Sequence, residues 1–199
     1  MPDRGLAEFY GDVLPDTPDE NPKRKASTEV SKDLAYYPTP EAVVATALER
    51  AELRPGMKVL EPSCGCGRFM DAIHKSGAEV FGVEVDRARA VECRAKGHDV
   101  LVANFLRVQP RPVYDVVVMN PPFVGRHYLK HVEHARRFLK PGGRLIAVLP
   151  STARYDYGAL PEGRDRWSDL PVGSFAESGT NVNTSIYREW APRAQEAAA

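Results

Sequence analysis

The sequence predicts an α/β fold: a mainly parallel sheet with helices on both faces, closed by a C-terminal antiparallel hairpin. Three observations carry that prediction. Short apolar runs alternate with stretches of helical spacing from residue 57 to residue 150, the pattern of strands joined by crossover helices. "VVVM", residues 116–119, is apolar without interruption, as in a strand buried on both faces of a parallel sheet. From residue 172, "VGSFAESGTNVNTSIYREW" offers a last hairpin with Gly179 near its turn.

In chain order, residues 1–33 are rich in Pro, Asp, Glu, Lys and Ser without apolar periodicity, and are expected to form a flexible polar arm. Residues 34–190 are expected to form a single domain, and 191–199 a frayed tail. In "YYPTPEAVVATALERAEL", Thr39 is the expected N-cap with Pro40 at the first helical position, and Val43, Val44, Ala47, Leu48 and Ala51 recur at helical spacing. Strands are expected at 57–62, 78–85, 99–104, 114–120 and 144–150, and helices near 67–76, 86–96 and 127–139. Residues 151–170 lack periodicity and are expected to be a loop. The final strand turns polar at "REW" and is expected to be short or incomplete.

The 199 residues suit one well-packed domain. No apolar run approaches the ~18 residues of a membrane span, and no basic-then-apolar start suggests a secretion signal. Cys64, Cys66 and Cys93 fit neither a disulfide framework nor a two-knuckle zinc site, so the expected setting is reducing and cytoplasmic. His127 and His131 stand at i and i+4 with no acid or Cys to complete a metal site, and no metal is expected. Together with His134, Lys130, Arg136 and Arg137 they are expected to form a mostly exposed helix face. Net charge is zero, but residues 106–154 are strongly basic, a surface on which a polyanion would dock. Arg126, Lys130 and Arg154 are the candidate substrate-binding residues of that stretch.

Two motifs carry chemistry. At the end of the first strand, "EPSCGCGRF" places Gly65 and Gly67 in a tight loop whose backbone N–H groups approach a ligand at the next helix start. Glu84 ends the second strand, at the spacing from which an acid reaches ribose hydroxyls. Met70 stands where the third glycine of a dinucleotide fingerprint would fall, which favours an adenosine ligand without phosphates. The second motif is "NPPF", Asn120 to Phe123, immediately after the "VVVM" strand. Proline donates no N–H and holds the preceding residue extended, so Asn120 and Pro121 stand just beyond the sheet edge.

The glycine loop and its partner acid resemble those of class I S-adenosylmethionine-dependent methyltransferases, with a Rossmann-like sheet. The resemblance implies S-adenosylmethionine as cofactor. It gives the methionine part to Glu61, Pro62, Ser63, Gly65 and Gly67, the ribose to Glu84 beside Val85, and the adenine to Asn104 with Phe105. Asn104 stands where the family commonly has Asp.

"NPPF" resembles the catalytic motif of enzymes that methylate an exocyclic or amide nitrogen. Such a nitrogen is a poor nucleophile because its lone pair is delocalised. Asn120 and the Pro121 carbonyl would each accept one N–H, turning the lone pair toward the methyl donor. Pro122 completes the motif, and Phe123 would stack on the planar target. "YYPTPEAVV" looks like the cofactor-binding segment that precedes the glycine loop in amino-methylating DNA enzymes, with Tyr37 and Thr39 near the methionine moiety; Asn120 also borders the cofactor. The order of these segments and the late "F…SGT…NT" stretch resemble small N6-adenine DNA methyltransferases of phages and mobile elements, in the gamma-like order. The implied partner is DNA, with a specificity partner or homodimer left open and no separate target-recognition domain expected. RNA methylation, protein-glutamine methylation and a non-catalytic cofactor-binding scaffold are the alternatives.

Overall fold

The computed structural model describes residues 36–193 apart from 157 and 164; the expected arm at 1–33 and most of the tail lie outside the described residues. Helix α1 (Glu41–Ala51) leads into strand β1 (Lys58–Glu61), α2 (Arg68–Lys75), β2 (Glu79–Glu84), α3 (Arg87–Ala95) and β3 (Asp99–Val102). The chain then returns through β4 (Tyr114–Met119), α4 (His127–Arg136) and β5 (Leu139–Pro150), and ends with β6 (Trp167–Asp169) and β7 (Thr184–Trp190). One sheet has the order β3-β2-β1-β4-β5-β7-β6. β1 to β5 are mutually parallel, and β7 runs antiparallel between β5 and β6.

Burial explains the apolar run of β4. Val116 and Val118 pack with Val43, Val44 and Ala47 of α1 on one face. Val117 and Met119 pack with Tyr128, Val132 and Ala135 of α4 on the other. With both faces covered, alternation disappears from the sequence. The chain runs outward from β1 through β2 to β3, then returns to place β4 against β1. That reversal is a topological switch point, and the loops after β1 and β4 flank the crevice it opens.

Four expectations are corrected. β5 begins at Leu139 rather than 144 and α4 stops at Arg136 rather than 139. The extension needs Gly143, where a Cβ would meet the Lys140 carbonyl oxygen at 2.9 Å and that of Asp115 at 3.1 Å. The stretch 151–170 is not wholly loop: Trp167–Asp169 forms β6, the first strand of the terminal hairpin. Gly179, at φ 88°, ends a short helical turn in the long β6–β7 connection. β7 is a full strand of seven residues. Its polar ending is a buried ion pair, with Glu189 6% exposed and accepting from Arg136 Nη2 at 2.9 Å and from the Tyr187 hydroxyl.

Candidate active site

The glycine loop takes its shape from two directions. β1 ends at Glu61, and Gly65 and Gly67 adopt φ of 54° and 83°, in the left-handed region that disfavours a Cβ. Gly65 N–H donates to Glu84 Oε2 at 2.8 Å, which ties the loop to the end of β2. From the other side the Tyr36 ring covers the loop: a Cβ at Gly65 would meet Tyr36 Cε2 at 2.5 Å, and Cys66 N–H donates to the Tyr36 hydroxyl at 3.0 Å. Gly67 is absent from the cleft lining; it starts α2 and allows the close approach of Cys93 Sγ, 3.0 Å from its Cβ position.

Glu84 is the hub of this end. Its Oε1 accepts from Asp86 N–H at 2.8 Å and from Arg89 Nη2 at 2.9 Å. The Arg89 guanidinium lies 4.5 Å from the centroid of the Tyr36 ring, within cation–π range. Neither Tyr36 nor Arg89 is among the site residues expected from the sequence. Adjacency to Tyr37 was a signal for the first, whereas the second depends on α3 turning back over the loop.

After β4, Asn120 is half-buried, and its Nδ2 donates to Thr39 Oγ1 at 3.1 Å. Its side-chain carbonyl is thereby left for the cleft. Thr39 is not the helix cap that its sequence position suggests. Pro40 takes that position without a side-chain cap, its carbonyl accepts from Val44 N–H at 2.9 Å, and the Thr39 hydroxyl is released to orient Asn120. The late segment closes the same corner, with Ser178 Oγ donating to the Pro38 carbonyl at 2.6 Å and Phe175 and Thr180 lining the cleft.

The cleft has a volume of about 300 Å³, at the lower end of ligand-pocket size. Its lining brings together Tyr37, Thr39, Glu61, Pro62, Ser63, Gly65, Glu84, Val85, Asn104, Phe105 and the whole of Asn120–Phe123. Arg126, Lys130 and Arg154 are not in the lining. Arg126 pairs with Asp156 at the surface, and Arg154 bonds Asp169 at 2.6 Å and lies 5.5 Å from the Trp167 ring centroid. Asn104 Oδ1 caps the following turn by accepting from Leu106 N–H at 3.0 Å.

The histidine face also differs from expectation. His131 is 9% exposed, His134 is bound to the Val108 carbonyl at 3.0 Å, and Arg136 is paired with Glu189. Among the described residues no group of three or more His, Cys, Asp and Glu is placed to hold a metal ion. Burial, then His127 and His134, push the His131 imidazole down to about 4 from its ordinary 6.5. Between those values the unfolded chain binds the proton that the folded protein excludes, so stability is lost as pH falls through this window. The expected loss between pH 7 and pH 5 is about 1–2 kcal/mol, absent in His131→Phe; urea melts of the two proteins at both pH values check it.

The strand order, the antiparallel β7 beside β5 and the cleft at the C-terminal ends of β1, β2 and β4 define a class I methyltransferase fold. The chain belongs to an uncharacterised methyltransferase family, DUF6094, whose model matches residues 27–153. It is similar to the type II methyltransferase M.TthHB8I of Thermus thermophilus, 30% identical over 159 residues that cover 63% of this chain and 36% of that protein. The tRNA1(Val) (adenine(37)-N6)-methyltransferase of Dickeya chrysanthemi is 25% identical over 163 residues, 66% of this chain and 64% of that one. An RNA methyltransferase from Salinibacter ruber, solved with S-adenosyl-L-homocysteine, shares the fold with a TM-score of 0.59 at 19% identity, over 78% of this chain and 94% of that one. The chain thus spans 36% of the length of its type II relative.

S-adenosylmethionine is borne out as the cofactor, and the cleft fits it. Glu61 Oε2 and Ser63 Oγ line the cleft and are buried with no hydrogen-bond partner, as groups awaiting the polar atoms of a ligand are. Burial, with Cys93, Cys66 and Glu84 nearby, pushes the Glu61 carboxyl well above the usual carboxylate range. The folded state therefore holds that proton more tightly than the unfolded chain, and stability is lost as pH rises through the raised value. Glu61→Gln removes the liability. We expect the ligand-free variant to melt higher than the wild type at alkaline pH, and to bind S-adenosylhomocysteine about tenfold more weakly for the lost contact to the carboxyl group. Calorimetry checks both.

Proposed function

We propose that the protein methylates the exocyclic N6 of adenine in DNA. The observation that carries this reading is Asn120, fixed by Thr39 at the C-terminal end of β4 with its carbonyl left to the cleft and Phe123 in the same lining. S-adenosylmethionine supplies, when bound, a methyl group made electrophilic by the sulfonium. Asn120 Oδ1 and the Pro121 carbonyl accept the two N–H groups of the adenine amine, which directs its lone pair into the cleft. The same two acceptors stabilise the positive charge that grows on the nitrogen as the methyl–sulfur bond breaks, and the surplus amine proton then leaves to solvent. Phe123 stacks on the extruded base, whose unpairing from the duplex costs a few kcal/mol. The type II methyltransferase relative from Thermus supports DNA as the substrate class.

Adenine N6 in RNA is the second reading, favoured by the tRNA adenine-N6 relative. Labelled methyl transfer to equal concentrations of unmethylated duplex DNA, single-stranded DNA and structured RNA separates them. The proposal expects incorporation into DNA; incorporation into RNA alone would replace it by the second reading.

A further inference from the structure

One polar group in the cleft has no role in the reaction as proposed. His131 lies in the second turn of α4, lines the cleft and is 9% exposed. Its ring centroid is 5.7 Å from that of Phe105, the residue that opens the turn after β3. In the sheet β3 lies three places from β4, and this contact seats the imidazole beside the turn that follows β3. His131 Nδ1 is buried without a hydrogen-bond partner. A buried N–H with no acceptor is a rarer and costlier arrangement than an unused lone pair. Nδ1 therefore carries the lone pair and Nε2 the proton.

We propose that His131 selects the cofactor's base: its Nε2–H donates to a ring nitrogen of adenine bound at the β3 end of the cleft. Adenine ring nitrogens are neutral acceptors, and a neutral imidazole donor matches them without burying a charge. The neighbouring side chain at this end is already partly engaged, since Asn104 Oδ1 accepts from Leu106 N–H, while its amide N–H groups remain available as donors to a ligand. His131 is thus a second donor on the same base, reached from α4 rather than from the sheet edge. This rests on the reading of the cleft as the S-adenosylmethionine site.

The test is titration calorimetry of the wild-type protein and His131→Phe with S-adenosylhomocysteine and with its 1-deaza, 3-deaza and 7-deaza analogues, each of which replaces one ring nitrogen by C–H. We expect His131→Phe to weaken S-adenosylhomocysteine about fivefold, the worth of one neutral hydrogen bond. With one of the three analogues, the difference between wild type and variant disappears. His131→Gln, which keeps an N–H donor, binds within about twofold of wild type. Equal affinity of wild type and His131→Phe for S-adenosylhomocysteine would overturn the assignment. So would a penalty of the same size with all four ligands, the signature of a purely structural ring. A second measurement avoids substitution: the His131 Nε2 ¹⁵N resonance of the wild-type protein shifts when S-adenosylhomocysteine is added, and an unmoved resonance at saturation also overturns it. Failure of the wild-type protein to bind S-adenosylhomocysteine at all would overturn the reading of the cleft itself.

Discussion

Asn120→Ala is expected to lower the rate of methyl transfer by about 10³ while leaving affinity for S-adenosylhomocysteine within about threefold. The size follows from the loss of a preorganised dipole aimed at charge that develops only in the transition state, worth ~3–4 kcal/mol where it has been removed elsewhere. The sparing of the cofactor follows from position, because the glycine loop is tied to Glu84 and not to Asn120. Thr39, which holds the Asn120 amide at 3.1 Å, is 8% exposed and shielded from solvent. Single-turnover kinetics with saturating cofactor measures the chemical step, and calorimetry measures the affinity. Equal single-turnover rates in variant and wild type would remove Asn120 from the catalytic step.

Glu84→Ala is expected to act on the other half of the site. Two carboxylate oxygens offer about four acceptor positions, and the structure uses three of them for Gly65 N–H, Asp86 N–H and Arg89. The remaining capacity suits a ribose hydroxyl. Truncation removes that contact, releases the glycine loop from β2 and leaves Arg89 without its carboxylate, so cofactor affinity should fall by ~1.5–3 kcal/mol, roughly 10- to 150-fold. Arg89 and Tyr36 make the effect larger than a single lost hydrogen bond, because their cation–π contact is seated on the same carboxylate. Maximal rate at saturating cofactor should change little. An unchanged dissociation constant for S-adenosylhomocysteine would place the ribose elsewhere.

Much of this architecture was legible in the sequence because two-sided burial and crossover connections leave local marks. β4 announced itself as four consecutive apolar residues because α1 and α4 cover both of its faces. The glycine loop and "NPPF" were legible for a related reason: positive φ and paired prolines restrict residue choice at single positions, whatever the rest of the chain does. β6 left no such mark. Three residues, "WSD", are too few to show alternation, and they are a strand only because β7 pairs with them. The polar residues of β7 read as a strand ending because the partner that neutralises Glu189 is Arg136, 53 residues away.

Within the site, the same division holds. Glu84 and Asn120 stand at strand ends, the first legible from its spacing to the glycine loop and the second from the NPPF motif it opens. Tyr36, Arg89 and His131 earn their places through tertiary contacts, with the Gly65 loop, with Glu84 and with Phe105. The three histidines of α4 look alike in sequence, yet His127 is exposed while His131 is covered by the turn after β3. Thr39 reads as a helix cap from sequence because Ser, Thr and Asn at that position so often are. Its hydroxyl goes instead to Asn120, a partner 81 residues away.

The most direct measurement is nucleoside mass spectrometry of unmethylated duplex DNA after incubation with the protein and isotope-labelled S-adenosylmethionine, beside an identical reaction with Asn120→Ala. Labelled N6-methyladenine is expected in the first digest and a trace of it in the second. Label on another base, or none on DNA from a protein that binds S-adenosylhomocysteine, would contradict it.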